Sequence, residues 1–340
     1  MKLVDESLCP LSGEAGDIAI PSVADAFFGT EGAWRYRRNP RTGHLWLDPR
    51  PANEDIGELY RTYYTHQDPS SKGAPSVWEQ AMALVQARRL GYRQPQRVRA
   101  AARMVALLPS VADAAMMEIM RIPASQGGHV LDVGCGSGAF LKRMRNAGWQ
   151  TTGVEPDPRA ALRVRELLGA QVFSSIEELE AHGGRFDLIT LSHVIEHVPD
   201  PLDTLRRLAL LLAPNGRLVI TTPNAKSLGA RLFGAHWRGL EPPRHFNVFS
   251  PESMGEAMQR AGLTIEQLST HARLARGIFY LSVLARRGQR ELESRRPRQS
   301  KILTFAGYLF QMIEAAALRI FSWAGEEIYC RARLTTSGGS

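Results

Sequence analysis

The stretch His129-Val-Leu-Asp-Val-Gly-Cys-Gly-Ser-Gly-Ala-Phe140 constrains this chain more than any other. Apolar β-formers run into Gly134-x-Gly136-x-Gly138, and an amphipathic segment follows. Glycines at a strand end let the backbone turn sharply and approach a ligand closely, and the following helix start completes a strand–turn–helix unit. Glu155 ends the next apolar run about twenty residues on, where a ribose-hydroxyl acceptor belongs. The loop is read as an adenosine-binding turn.

Two cofactor classes compete for it. Gly134-Cys-Gly-Ser-Gly-Ala139 also satisfies G-x-G-x-x-A, which suits a nicotinamide dinucleotide. However, Asp132 stands two residues before the first glycine, and a carboxylate there repels a pyrophosphate. It suits S-adenosylmethionine, which carries an ammonium and a sulfonium and no phosphate.

Around this loop, short apolar strands (HVLDV, TTGVE, QVF, FDLITLS, GRLVITTP) alternate with helices that start near Ala139, Pro158, Ile176 and Pro201. The alternation predicts a parallel sheet covered on both faces. Ser250 and Pro251 open another helix that Gly262 ends. LTIEQLSTHA reads as a sixth strand and EEIYCRARL as a seventh. The expected fold is therefore α/β: a doubly wound, seven-stranded, mainly parallel sheet, its seventh strand antiparallel. The expected domains are a loop-rich module over 1–75, a helical connection over 76–125, the core over 126–275, a helical insertion over 276–324, the last strand over 325–334 and a disordered tail.

The insertion pairs RRGQRELESRRPRQSK with ILTFAGYLFQMIEAAALRIFSWA. Gln311, Glu314 and Arg319 argue against a membrane span and favour a helix buried against the domain or a partner. An interfacial membrane helix with basic flanks over 286–324 stays open, as does a homo-oligomer. Net charge is +8, which fits an anionic partner or simply a basic solvated surface. Three cysteines, none near another, suit a reducing compartment. With no apolar run at the acidic N-terminus, a cytoplasmic protein is expected.

His193-Val-Ile-Glu196-His197 fits H-x-x-E-H, a zinc-hydrolase spacing. Pro199 and Pro201 leave room for only a short turn there, and no third ligand is evident, so no metal is expected.

Residues 126–270 resemble the class I S-adenosylmethionine-dependent methyltransferases. LDVGCGSG matches the first motif and GVEPD the second. FDLITLSHVIEHVPDP matches the fourth strand and its loop, and LLAPNGRLVITTPN the fifth strand. The narrower likeness is to the branch holding quinone-biosynthesis O-methyltransferases and enzymes acting on sugars or cell-surface metabolites. The resemblance implies that Asp132, Gly134, Cys135, Gly136, Gly138, Glu155, Pro156, His193 and Tyr64 bind S-adenosylmethionine. His245 is the first candidate base and His193 the second, with Tyr63, His66, Trp237, Arg244 and Phe246 walling the acceptor. It implies O-methylation of a small or lipid-linked metabolite, with no nucleic-acid substrate. A nicotinamide-dependent oxidoreductase and a non-catalytic, membrane-associated cofactor binder remain the alternatives. Relatives in the branch begin with a four-thiolate zinc ribbon. Here Cys9 is kept, and Ser12, Asn39 and Thr42 stand at the other ligand positions, which implies a ribbon-shaped module without its metal.

Overall fold

The computed structural model describes residues 1–60, 75–93, 95–125, 127–290 and 300–335. Tyr63, Tyr64, His66 and most of the polar tail lie outside them. The chain divides into two units, one made of Met1–Tyr63, Ser192–Leu210 and Ile220–Ser340, the other of Tyr64–Leu191 and Leu211–Val219.

Five short strands come first: β1 (Leu3–Val4), β2 (Asp17–Val23), β3 (Trp34–Arg38), β4 (Leu45–Leu47) and β5 (Arg50–Pro51). Next come β6 (His129–Val133), β7 (Gln150–Val154), β8 (Gln171–Phe173), β9 (Phe186–Ser192) and β10 (Leu212–Pro223), then β11 (Asn247–Val248), β12 (Leu263–His271) and β13 (Glu327–Leu334). The large sheet runs β12-β13-β10-β9-β6-β7-β8. β6 is parallel to both β7 and β9, and β7 is parallel to β8. β12 and β13 pair antiparallel, with a register shift between Ile265 and Gln267. The seven predicted strands are all present.

Helices begin where local chemistry places them. Ser76 caps α1 (Val77–Leu90) through a capping box with Glu79. α2 (Ala100–Val105) and α3 (Pro109–Glu118) follow. α4 (Ala139–Asn146) starts directly after Gly138, which has φ +75°. Asp157 caps α5 (Pro158–Leu168), with proline at the first turn, and Gly169 ends it in the left-handed region. Ser175 caps α6 (Ile176–His182), and α7 (Pro201–Leu211) follows the fourth strand of the core. α8 (Leu228–Phe233) and α9 (Pro251–Arg260) come next, α9 capped by Ser250 as predicted. The insertion supplies α10 (Ala275–Arg286) and α11 (Lys301–Ala317).

One junction is held by a glycine that no other residue can replace cheaply. Gly148 has φ +94°, and a Cβ there would lie 2.0 Å from the Ser125 carbonyl oxygen. That atom is backbone and cannot swing aside. Gly148→Ala is therefore expected to cost about 2–3 kcal/mol, lowering the thermal midpoint by several degrees in a melt followed by circular dichroism; an unchanged midpoint would refute this.

The N-terminal residues share a sheet with a segment far along the chain. The second sheet runs β11-β4-β3-β2, so Asn247 and Val248 pair with Trp46 and Leu45. Its core joins Trp34, Tyr36 and Leu47 to Trp237, Phe246 and Val248. The Tyr36 hydroxyl donates to the carbonyls of Leu240 (2.6 Å) and His245 (2.9 Å). Pairing across two hundred residues leaves no trace in local periodicity. Within this part, Gly13 N–H donates to Cys9 O and Gly43 N–H to Asn39 O, both at 2.8 Å. Asn39 Nδ2 donates to Ser12 Oγ at 3.1 Å, joining the two turns.

Candidate active site

The glycine turn sits on β6 and β7. Gly134, Gly136 and Gly138 all have positive φ (72°, 51° and 75°). Gly134 and Cys135 both donate to the Val154 carbonyl, at 2.8 and 3.1 Å. Glu155 is buried, and its carboxylate organises the turn. Oε2 accepts from the Gly136 N–H at 2.7 Å and Oε1 from the Asp157 N–H at 3.0 Å. Asp132 is 4% exposed, and its Oδ1 accepts from Thr190 Oγ1 at 2.7 Å. Burial, reinforced by Glu155, raises the Asp132 pKa to about 7 against the Thr190 hydrogen bond. Two buried carboxylates at a glycine turn attract an ammonium, a sulfonium or hydroxyl donors and repel phosphate. Cys135 contributes backbone to the turn. Its thiol is buried, with a pKa pushed well up by desolvation. Pro156 is exposed beside Glu155.

The turn also depends on Gly153. A Cβ there would lie 2.7 Å from Cys135 Sγ. Gly153→Ala is expected to displace the loop and weaken S-adenosylhomocysteine binding roughly tenfold, and calorimetry that found wild-type affinity would refute it.

The second group of polar residues follows β9. His193 has φ +55°, a conformation a non-glycine residue adopts only when its surroundings impose it. Its Nε2–H donates to Glu327 Oε1 at 2.8 Å, and its Nδ1 lies 3.3 Å from Glu196 Oε1. Burial alone would lower its pKa; the two carboxylates override that and raise it to about 9. Glu196 and Glu327 resist burial in the same way, and His193, with Arg273 also on Glu327, pulls both to about 2. Arg273 Nη2 donates to Glu327 Oε1 at 2.7 Å. His193 is thus held as an imidazolium between two carboxylates.

This cluster ties stability to pH. A raised histidine pKa stabilises the fold fully below the unfolded value near 6.5 and ceases to do so as pH rises through 9. The lowered carboxylates stabilise it above their ordinary 4.5 and lose that effect as pH falls toward 2. The thermal midpoint is therefore expected to fall between pH 6.5 and 9, and Glu327→Gln should flatten that fall. Equal slopes for wild type and variant would contradict this.

Beside it lie two more imidazoles. His245 is 5% exposed, and its Nδ1–H donates to the Gly239 carbonyl at 2.7 Å. A carbonyl only accepts, so the Nε2 of the neutral ring carries the lone pair. Burial, then repulsion from His197, depresses the His245 pKa well below 6.5. His197 Nδ1 likewise faces the Arg244 carbonyl at 3.1 Å, with the Tyr60 hydroxyl 3.0 Å away. The two rings meet edge to face with centroids 4.6 Å apart. Glu241, at φ +38°, places Oε2 3.5 Å from His245 Nε2. Glu196 Oε2 accepts from Thr222 Oγ1 at 2.9 Å. Glu196, His197 and His245 each offer one donor atom within 4.8 Å of the others. From the sequence no third ligand was evident beside His193 and His197; the fold brings His245, 48 residues beyond His197, together with Glu196 and His197.

Three predicted acceptor walls are core residues instead. Arg244 is 2% exposed; Nη1 pairs with Asp25 at 2.9 Å, and Nη2 and Nε donate to Thr30 Oγ1 and the Leu59 carbonyl. Phe246 packs in the core of the second sheet. Trp237 is 1% exposed, its Nε1 donating to Glu326 Oε2 at 2.8 Å, although with Phe27 and Pro242 it also lines a small cavity. Tyr60, Glu241, Arg273 and Glu327 were not singled out from sequence. The one available signal was Glu326-Glu327, two adjacent acids directly before the buried run Ile328-Tyr-Cys330.

A methyltransferase domain family model matches residues 109–268. A ubiquinone biosynthesis O-methyltransferase from Xanthomonas axonopodis pv. citri is 34% identical over 156 residues, covering 42% of this chain and 65% of the relative. One from Marinobacter nauticus is 31% identical over 161 residues, covering 42% and 66%. The chain thus spans just under two thirds of these relatives' length. Among solved structures, the cyclopropane synthase MmaA2 from Mycobacterium tuberculosis aligns at TM-score 0.44 and 17% identity, covering 86% of this chain and 98% of that one. By the domain match and the curated relatives, and with the glycine turn and seven-stranded sheet described above, this chain carries a methyltransferase domain over residues 109–268.

Proposed function

We propose that the chain methylates a hydroxyl oxygen of a small or lipid-linked acceptor, with S-adenosylmethionine held at the glycine turn. The observation that carries this reading is His245, a buried imidazole kept neutral with its lone pair on Nε2, beside His197 and Glu196. Asp132 would face the cofactor's cationic end, Glu155 would accept from its ribose hydroxyls, and backbone glycines would let it approach. Held there, S-adenosylmethionine would supply an electrophilic methyl group on a sulfonium sulfur, with a neutral thioether as the leaving group. The protein's part is to align the acceptor, exclude water and accept the hydroxyl proton at His245 Nε2. His193, already protonated, serves instead as a fixed positive charge between Glu196 and Glu327.

The curated relatives are ubiquinone biosynthesis O-methyltransferases, which makes a ring hydroxyl the first acceptor class to try. Purified protein, S-adenosylmethionine and catechol would be incubated and S-adenosylhomocysteine and methylated ring product quantified. Product that vanishes in His245→Gln supports the reading. Binding of reduced nicotinamide cofactor with no binding of S-adenosylhomocysteine would replace it with the oxidoreductase.

A second reading of the same trio is favoured by its geometry. One carboxylate and two imidazoles with their lone pairs on Nε2 can hold a divalent cation, and a carbonyl on each Nδ1–H is the support such ligands use. Calorimetric titration of zinc and magnesium into wild type and His245→Gln decides it: a site lost in the variant favours the cation, and no heat in either removes it.

A further inference from the structure

The helix α11 is docked by one face and bare on the other. Inward, Leu303, Gly307, Phe310 and Glu314 are buried. Phe310 packs with Ala272 and Ala275, and stacks at a tilt on Phe279 with centroids 5.1 Å apart. Gln311 Nε2 donates to the carbonyls of Ala272 and Arg273. Outward, Ile302 (80% exposed), Phe305 (72%), Met312 (70%) and Ile320 (78%) face solvent, with Leu309 and Ile313 each more than half exposed. At 100° per residue the five within α11, Ile302, Phe305, Leu309, Met312 and Ile313, fall within one sector about 100° wide, the stripe an amphipathic helix normally buries. Here it points away from the core.

Among the described residues of α10, of α11 and of the residues just after each, the exposed charges are all basic. Lys301 opens α11 at one edge of the stripe, Arg319 is exposed just past its C-terminal end, and Arg276, Arg286, Arg287 and Arg290 are exposed on and just after the neighbouring helix α10. The single carboxylate between Ser300 and Gly325 is Glu314, which is fully buried and accepts from the Glu326 N–H at 2.8 Å. No helix among the described residues is long and apolar enough to cross a membrane.

We propose that this outward face of α11 lies on an anionic lipid bilayer, its apolar residues in the headgroup–acyl boundary and the flanking cations on lipid phosphates. An exposed apolar stripe flanked by cations, with no exposed acid among the described residues of these two helices, is the composition such a surface selects. A second copy of the chain is the poorer occupant, because pairing this face with itself sets the cations described here against each other, and no exposed carboxylate stands among the described residues of α10 and α11 to offset them. The site sits on the insertion and does not depend on the methyl-transfer reading.

Flotation with vesicles tests it, comparing phosphatidylcholine alone with phosphatidylcholine containing phosphatidylglycerol. The full chain is expected to float with the anionic vesicles, to do so at least about tenfold less with the neutral ones, and to be released by high salt. Phe305→Asp/Met312→Asp should abolish flotation at any salt, and Lys301→Glu/Arg319→Glu should reduce it on anionic vesicles alone. All four positions are exposed, and a wild-type melting curve shows each variant folded. The proposal is overturned if wild type stays unbound, if folded variants float like wild type, or if light scattering finds a lipid-free dimer that Phe305→Asp/Met312→Asp dissociates.

Discussion

Asp132→Ala and Glu155→Ala are each expected to weaken S-adenosylhomocysteine binding about 10- to 100-fold by calorimetry, the loss of one or two charge-assisted hydrogen bonds. Glu155 does two things at once. It orders the turn through Gly136 and Asp157, and it presents a buried carboxylate where ribose hydroxyls can donate. Asp132 adds a pH signature. Its pKa of about 7 without ligand means that near neutrality part of the protein carries a protonated acid. An ammonium beside it favours the charged form, so affinity should rise as pH increases from 6 to 8, with proton release on binding. Asp132→Asn should bind more weakly and lose that dependence. Affinity that is flat with pH in the wild type would remove Asp132 from the cationic end of the ligand.

His245→Gln is expected to lower turnover by about 10²- to 10⁴-fold while leaving S-adenosylhomocysteine affinity near wild type. The pH profile of kcat separates His245 from His193. A base with a pKa well below 6.5 is already deprotonated at pH 6.5, so kcat should change little from there to pH 9. A base titrating near 9 would make the rate climb about tenfold per pH unit through that range. A climbing profile, or a His245→Gln enzyme of normal turnover, would return the role of base to another residue. Glutamine keeps the hydrogen bond to the Gly239 carbonyl within reach, so a folded but inactive variant is informative.

Strand and helix boundaries were legible wherever a short-range rule set them. Helices start at Ala139, Pro158, Ile176 and Pro201 as read, because glycine, aspartate and serine caps and first-turn prolines act within four residues. The glycine turn, Asp132 and Glu155 were legible for the same reason: the turn and its acid lie in one strand–helix–strand unit. What the sequence could not carry was whatever required two distant segments to meet. Arg244 looked like an acceptor wall until Asp25, 219 residues away, claimed it. His193 meets Glu327, 134 residues away, only in the folded chain, and that contact favours its charged form. His245 joined Glu196 and His197 only through the tertiary fold. The insertion read as a helix apolar on nearly every side and buried against the domain or a partner; docking left one of its faces exposed, since periodicity shows where side chains point around a helix but not which direction the core lies. Local chemistry thus determined the fold class and the cofactor turn from sequence, while side-chain charge states and exposure, which depend on neighbours remote in the chain, were decided by tertiary structure alone.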